Sequence, residues 1–310
     1  MSLALETGGA DVIGPAGSVL DGSREEALTP DMPAKRALGV MLAACRREVA
    51  HHRAAALTRD DPEGIHDVRV SLRRLRAVLD LFRDVASDPD ARWIEAEAGK
   101  LADALSPARD LQVFLFETAP EAPAEIMQVG GQLVDRRLAD ARLVLDSPRF
   151  IDFERRLGRV ATASMDDSGE SLVTFARSAL DRCQDRVRRR GRGLSGLGAG
   201  RLHRLRLGAK KLRYAVDFLA PLFRAQAAQD YAEATAALQD VLGKMNDRRA
   251  SRGVLGDIAR AGGPSREVRR SCKRLMKRVA TPRGRERREL KRAWKAFKRA
   301  EPFWRVSLSP

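Results

Sequence analysis

The chain has 310 residues, with 58 Lys and Arg against 42 Asp and Glu, and a formal net charge of +16. A field of that sign concentrates polyanions, so an acidic partner or anionic surface is expected, and 44% hydrophobic residues are enough for a buried core and exclude a purely disordered basic tail. Aromatic residues make up 5%, too few for a single-strand reader that stacks bases on aromatic platforms.

Residues 1–33 are rich in Gly, Pro and acidic residues, hold one basic residue, Arg24, and lack steady periodicity, which predicts a flexible acidic leader. The start has no positively charged segment of the signal-peptide kind, and no apolar run is long enough to cross a bilayer, so a soluble cytoplasmic protein is expected. From Pro33 onward the apolar spacing is helical, broken by short punctuators such as "TRDDPEG" at 58–64, "SDPD" at 87–90, "ETAPEAPAE" at 117–125, "MDDSGES" at 165–171, "GRGLSGLGAG" at 191–200 and "AGGPS" at 261–265. Nothing alternates as a strand would. An all-α protein of roughly eight to ten helices with short connections follows. Cys45, Cys183 and Cys272 are odd in number and far apart, without metal-ligand spacing, and read as packing residues in a reducing compartment.

"GIHDVRVSLRRLRAVLDLF" at 64–82 and "RLHRLRLGAKKLRYAVDFL" at 201–219 are two versions of one helix. Their histidines, His66 and His203, stand 137 positions apart (203 less 66), and the same offset relates Arg69 to Arg206, Leu75 to Leu212, Arg76 to Arg213, Asp80 to Asp217, Asp103 to Asp240 and Asp110 to Asp247. It also sets "HHR" at 51–53 against "RRR" at 188–190. Such in-phase identity marks a tandem duplication, with a first repeat of about 34–150, a second of about 170–265 and basic C-terminal helices over about 266–305. Two copies of one bundle are expected to pack about a pseudo-twofold axis.

At about 100° per residue, Val68, Leu72, Leu75, Leu79 and Phe82 form a core stripe, and His66, Arg69, Arg73 and Arg76 fall within an arc of roughly 80° beside it. His203, Arg206, Lys210 and Arg213 do the same in the second copy, with Arg74 and Lys211 leaning to the other flank. Like charges at these spacings repel by a few tenths of a kcal/mol per pair, so a one-sign ladder over three turns points to an external anion. Guanidinium forks and ammonium groups suit phosphate oxygens, and His66 and His203 fit as further donors, the competing reading being packed or capping histidines. Neither histidine has a second ligand at metal spacing on its own helix, so no metal site is expected.

Asp110 in "LSPARDLQVF" and Asp247 in "LGKMNDRRAS" either orient the ladder or mark helix breaks; Ser106 before Pro107 and Asn246 or Asp247 favour caps. No glycine-rich phosphate cradle, nucleophile elbow or paired carboxylate motif is present, so no catalytic residue and no cofactor is expected. In the basic C-terminal stretch, Val268, Leu275, Met276 and Val279, then Leu290, Trp294 and Phe297, are available to cover a bundle, while the cations either extend an anion track or form solvated faces.

The repeated helix, together with "ALSPARDLQVF", "SPRF" at 147–150, "LGKMND" and the closing "RAWKAFKRAEPFW", resembles the CHAD family, the conserved histidine α-helical domain. The resemblance implies two four-helix bundles related by a pseudo-twofold, inorganic polyphosphate bound between them, and association with polyphosphate granules in the cytoplasm. It assigns the anion to His66, Arg69, Arg73, Arg74, Arg76, His203, Arg206, Lys210, Lys211 and Arg213; Arg46, Arg53, Arg109, Arg190 and Lys244 are expected as a second tier of polyphosphate-binding residues. The expected role is non-enzymatic binding; a nonspecific nucleic-acid-binding protein and a polyphosphate-processing enzyme are the alternatives. Thirty-three leader residues are too few for the triphosphate tunnel domain often fused to this family, and Asn246 stands where the first copy has Arg109, so the two halves need not hold phosphate identically.

Overall fold

The computed structural model describes residues 26–58, 63–86, 88–280 and 284–305, without the side chains of 248, 249, 279 and 280. Ten α-helices occur among them and no strand. They are α1 (Ala34–Leu57), α2 (Gly64–Leu81), α3 (Pro89–Gln112), α4 (Ala124–Leu145), α5 (Pro148–Ala163), α6 (Leu172–Arg190), α7 (Ala199–Leu219), α8 (Ala225–Ala261), α9 (Arg266–Ala280) and α10 (Gly284–Arg299). The offset of 137 carries the starts of α1, α2, α3 and α5 to within two residues of the starts of α6, α7, α8 and α10. The helix register therefore continues past residue 265, where the sequence pattern closes the second repeat.

Local chemistry sets several boundaries. Asp88 accepts from the Asp90 amide at 2.8 Å and Pro89 opens α3; Ser147 accepts from the Phe150 amide at 3.3 Å and Pro148 opens α5. Two expected breaks are absent. α3 runs unbroken through Ser106 and Pro107, and α8 through Asn246 and Asp247, so none of these residues caps a helix. Pro107 lacks the amide that would bond one turn back, and beside it the Ser106 hydroxyl donates to the Ala102 carbonyl at 2.8 Å.

α1 and α3 pack on α2, α5 packs on α1 and α3, and Val68, Leu72, Leu75, Leu79 and Phe82 of α2 are buried, the stripe expected from spacing. α7 buries Leu205, Ala209, Leu212, Val216 and Leu219 in the same manner against α6 and α8. α10 closes the second group, with Leu290, Trp294 and Phe297 buried; Phe303 and Trp304 follow it into the core, where the Trp304 indole donates to Asp181 at 2.9 Å. On α9, Val268 and Leu275 are buried and Met276 half-buried, and the Val279 side chain lies outside the described residues.

Among the described residues, the two halves of the chain touch in three main regions. At the starts of α1 and α6, Pro33 and Ser171 form an antiparallel bridge: the Ala34 amide donates to the Glu170 carbonyl at 2.9 Å and the Leu172 amide to the Met32 carbonyl at 2.6 Å. Met32 is buried, so the last residues of the expected leader are part of the fold; residues 1–25 lie outside the described residues. The second contact is between α2 and α7, where Phe82 stacks on Phe175 of α6 nearby. The third is a separate small core in which Leu111, Phe114 and Ile126 of the first half meet Leu255, Ile258 and Cys272 of the second.

Gly64 opens α2 against α1 so closely that a Cβ there would lie 2.7 Å from the Ala56 Cα. Gly64→Leu is expected to pry this hairpin open and cost about 1–3 kcal/mol, the usual range for overpacking, read as a lower midpoint in a denaturant melt.

Candidate functional site

α2, α3, α8 and α7 touch one another in a closed cycle. On α2, the Arg69 Nε–H donates to Ser106 Oγ of α3 at 2.9 Å and its Nη2 lies 3.7 Å from Asp110 Oδ1. Further along, the Arg76 guanidinium lies over Gly99 of α3, where a Cβ would come within 3.1 Å of its Cζ. Toward α7, Asp80 accepts from the Lys211 ammonium at 2.7 Å. The histidine and arginine flank of α2 thus lies between its contact with α3 and its contact with α7. On α7, Arg213 reaches within 3.8 Å of Asp240 of α8 and of Asp217 on its own helix.

The α2–α7 seam is reciprocal. Lys211 of α7 pairs with Asp80 of α2; at the positions related by the offset, Arg74 of α2 stands over the Phe218 ring of α7, 5.5 Å from its centroid, and its charge acts on Asp217. Arg74 also lies 3.4 Å from Glu48 of α1. Arg74 and Lys211 are therefore engaged at the α2–α7 seam, whereas Arg69 is engaged with α3 and Arg213 with α8.

Asp110 is the focus of three guanidinium groups. Burial pushes its pKa up, and the charges of Arg69, Arg73 and Arg109 act in the opposite sense. Arg109 also meets Glu117 at 3.2 Å and Glu63 at 3.4 Å. Asp110 thus orients cations, the reading ranked second to a cap in the sequence. Burial likewise pushes Asp217 up to about 6, against the opposing charges of Arg213 and Arg74. His66 is half-buried with a buried Nδ1, whereas His203 is exposed. Arg73 and Arg206 are half-buried, and Lys210 lies 5.9 Å from the Tyr214 ring centroid.

The second-tier residues divide. Arg53 donates to the Leu145 carbonyl at 2.7 Å, meets Glu154 of α5 at 3.6 Å and covers the Phe150 ring, while Arg46 lies against Gly158 of α5. Both are turned to α5, and the structure does not bring them to the α3–α7 flank of α2. Arg190 belongs to a different cluster: it donates to the Arg204 carbonyl at 2.8 Å, and burial, followed by the charges of Arg186, Arg204 and Arg189, lowers its pKa. Lys244 is exposed on α8. Sequence spacing did not reveal Ser106 as an arginine acceptor, because its place before Pro107 reads as a cap.

Among the described residues, no group of three or more His, Cys, Asp or Glu side chains is placed to hold a metal ion, and no helix is long and apolar enough to cross a membrane. The three cysteines are free thiols; Cys45 and Cys272 are buried, and burial pushes Cys45 up to about 12.

An all-α protein built around a duplicated basic helix is the class these features define. The family model described as CHAD domain matches residues 40–256, well over half of the chain, and the chain belongs to that family. Among solved structures, the crystal structure of the CHAD domain from the plant Ricinus communis is 26% identical with a TM-score of 0.79, covering 92% of this chain and 99% of that one. PptA from Streptomyces chartreusis, 16% identical with a TM-score of 0.54 over 86% of this chain and 99% of its own, shares the fold. No curated protein matches the chain.

Asp217 supplies a stability test. Its folded pKa lies above its unfolded one, so the native state binds the extra proton and stability falls as pH rises from about 4 to about 6. Asp217→Asn should raise stability at pH 7.5 by on the order of 1–3 kcal/mol and have almost no effect below pH 4, measured by melts at both pH values.

Proposed function

We propose that this protein is a non-enzymatic binder of inorganic polyphosphate, and that its two helical groups, each closed by its fourth helix α5 or α10, are related by an internal pseudo-twofold. The reciprocal pairs across the seam and the bridge at the starts of α1 and α6 support that symmetry, since in both a residue and its repeat equivalent exchange roles. The two ladders, His66, Arg69, Arg73 and Arg76 with His203, Arg206, Lys210 and Arg213, then flank the inside of the four-helix cycle. Arg74 and Lys211 brace the seam and lend it positive potential. In this reading the first repeat ends with α5 and the second runs on to α10.

One observation carries the proposal: the charges of Arg69, Arg73 and Arg109 converge on Asp110, at the edge of a histidine and arginine row of one sign on α2. Like charges crowded at this spacing repel, and an outside anion placed among them relieves that repulsion. Phosphate oxygens along a polymer supply it repeatedly, each contact charge-assisted, so that many modest contacts sum to avidity without reading any sequence. Membership of the CHAD family points the same way, and the reading places the protein at cytoplasmic polyphosphate granules. Bound polymer is held, not cleaved, on this account.

The test is a titration of long polyphosphate, duplex DNA and ATP at several salt concentrations. Polyphosphate should bind tightest, with log affinity falling linearly in log salt as it does for nucleic acids. Replacing Arg69, Arg73, Arg206 and Lys210 together by Ala should weaken polyphosphate binding on the order of 100-fold or more, given four charge-assisted contacts. Equal or tighter DNA binding, insensitive to these changes, would establish a nonspecific nucleic-acid binder instead. Orthophosphate release with magnesium or manganese, lost in His66→Ala, would establish an enzyme. Asp110→Asn, which removes the internal competitor for three arginines, should strengthen polyphosphate binding severalfold at neutral pH, measured in the same titration.

A further inference from the structure

From Arg186 to Val216 the chain contains no acidic residue, and the end of α6, the following turn and the start of α7 carry Arg186, Arg188, Arg189, Arg190, Arg192, Arg201, His203, Arg204 and Arg206. This density has no counterpart in the first half. At the offset of 137, Arg188, Arg189 and Arg192 correspond to His51, His52 and Ala55, Arg204 to Asp67, and Lys298 of α10 to Ala161. The excess is therefore a property of one half and distinct from the duplicated ladders.

The fold gathers part of it into a pocket of about 410 Å³ between the end of α6, the turn after it and α10. Arg188, Arg192 and Lys298 line it, together with the Trp294 indole, and no carboxylate does. All three cations are exposed, and none forms an ion pair with a described residue. The backbone shapes the pocket. A Cβ on Gly191 would collide with the Trp294 ring, which therefore lies directly on the chain, and Gly193 turns the loop with φ at 67°, a left-handed value that favours glycine. The pocket is tied to the start of α7 by the Arg201 side chain, which donates to the carbonyl of the lining residue Arg192 at 3.4 Å, and beside it the Arg190 side chain donates from the end of α6 to the Arg204 carbonyl at 2.8 Å. His203 and Arg206 begin the second ladder on this same stretch of α7.

The geometry points to an outer phosphate subsite at Arg188, Arg192 and Lys298, which takes the polyanion as it runs off the α7 ladder and so fixes the side on which the polymer's tail emerges. This rests on the polyphosphate reading above. Three like charges around one concavity, without an internal carboxylate, are stabilised by an external anion, and exposed Arg and Lys can follow a mobile chain of phosphates. Only a polymer long enough to leave the ladders reaches the pocket. Its occupancy adds contacts to a chain already bound, so its effect is one of avidity.

The experiment compares wild type with a variant carrying Arg188→Ala, Arg192→Ala and Lys298→Ala, titrated with long-chain and with short-chain polyphosphate. Because the three side chains are exposed, helicity and melting temperature should be unchanged. Long-chain affinity should fall about 10-fold with a shallower salt dependence, by the counterion argument, while short-chain affinity stays at the wild-type value. Arg192→Glu alone should act in the same direction. Unchanged long-chain affinity in both variants overturns the subsite and leaves the ladder reading intact. Equal losses for short and long chains also overturn it, making the pocket a site for small phosphates or part of the primary grip. Failure of wild type to bind either polymer overturns both readings together.

Discussion

Two cationic helices cannot be packed side by side in a protein interior unless something offsets their repulsion. At the α2–α7 seam the offset comes from carboxylates supplied across the contact, with Lys211 on Asp80 and Arg74 acting on Asp217 and covering Phe218. Each helix carries both the cation and the acid the other requires, so one duplicated segment satisfies both sides. The offset is incomplete: Asp217 is buried enough that its proton is held up to about pH 6, which makes the seam a compromise between packing and charge. Everything proposed about anion binding depends on this contact keeping the two ladders together.

The cations separate into those that tie one helix to another and those that crowd other cations. Arg53 is consumed by a carbonyl, Glu154 and an aromatic face, and Arg46 lies against α5. Glu97, buried in α3, is held by Arg149 of α5. Such pairs position helices. Around Asp110 the charges of Arg69, Arg73 and Arg109 converge, and around Arg190 those of Arg186, Arg204 and Arg189, and the pKa values of Asp110 and Arg190 move in the direction that burial dictates. That contrast, more than the total of +16, separates a binding surface from a merely basic protein.

Much of this was legible in the residues. The apolar stripe of α2 and its copy in α7 were readable because buried leucines at helical spacing report a single physical requirement. The break at "SDPD" was readable as a punctuator, and the structure adds that Asp88 there, like Ser147 in "SPRF", caps the helix that follows. Ser106–Pro107 and Asn246–Asp247 misled for the same reason: their local chemistry favours a break, but the surrounding packing of α3 and α8 outweighs it, and Ser106 turns its hydroxyl to Ala102 and Arg69. Aligning the repeats by identity also hid what differs between them. The acid-free run after Asp185 stood in the sequence as a signal, but its meaning needed α10 to bring Lys298 and Trp294 beside it.

The backbone bridge between Pro33 and Ser171 has a bearing on biosynthesis. A nascent chain emerges N-terminus first, so the partners of Met32 and Ala34 are still unmade when α1 to α5 leave the ribosome. The small core that Phe114 shares with Leu255 waits longer still. Until then the leading half exposes the apolar surface that the second half later covers, the state in which a growing chain is most open to chaperones.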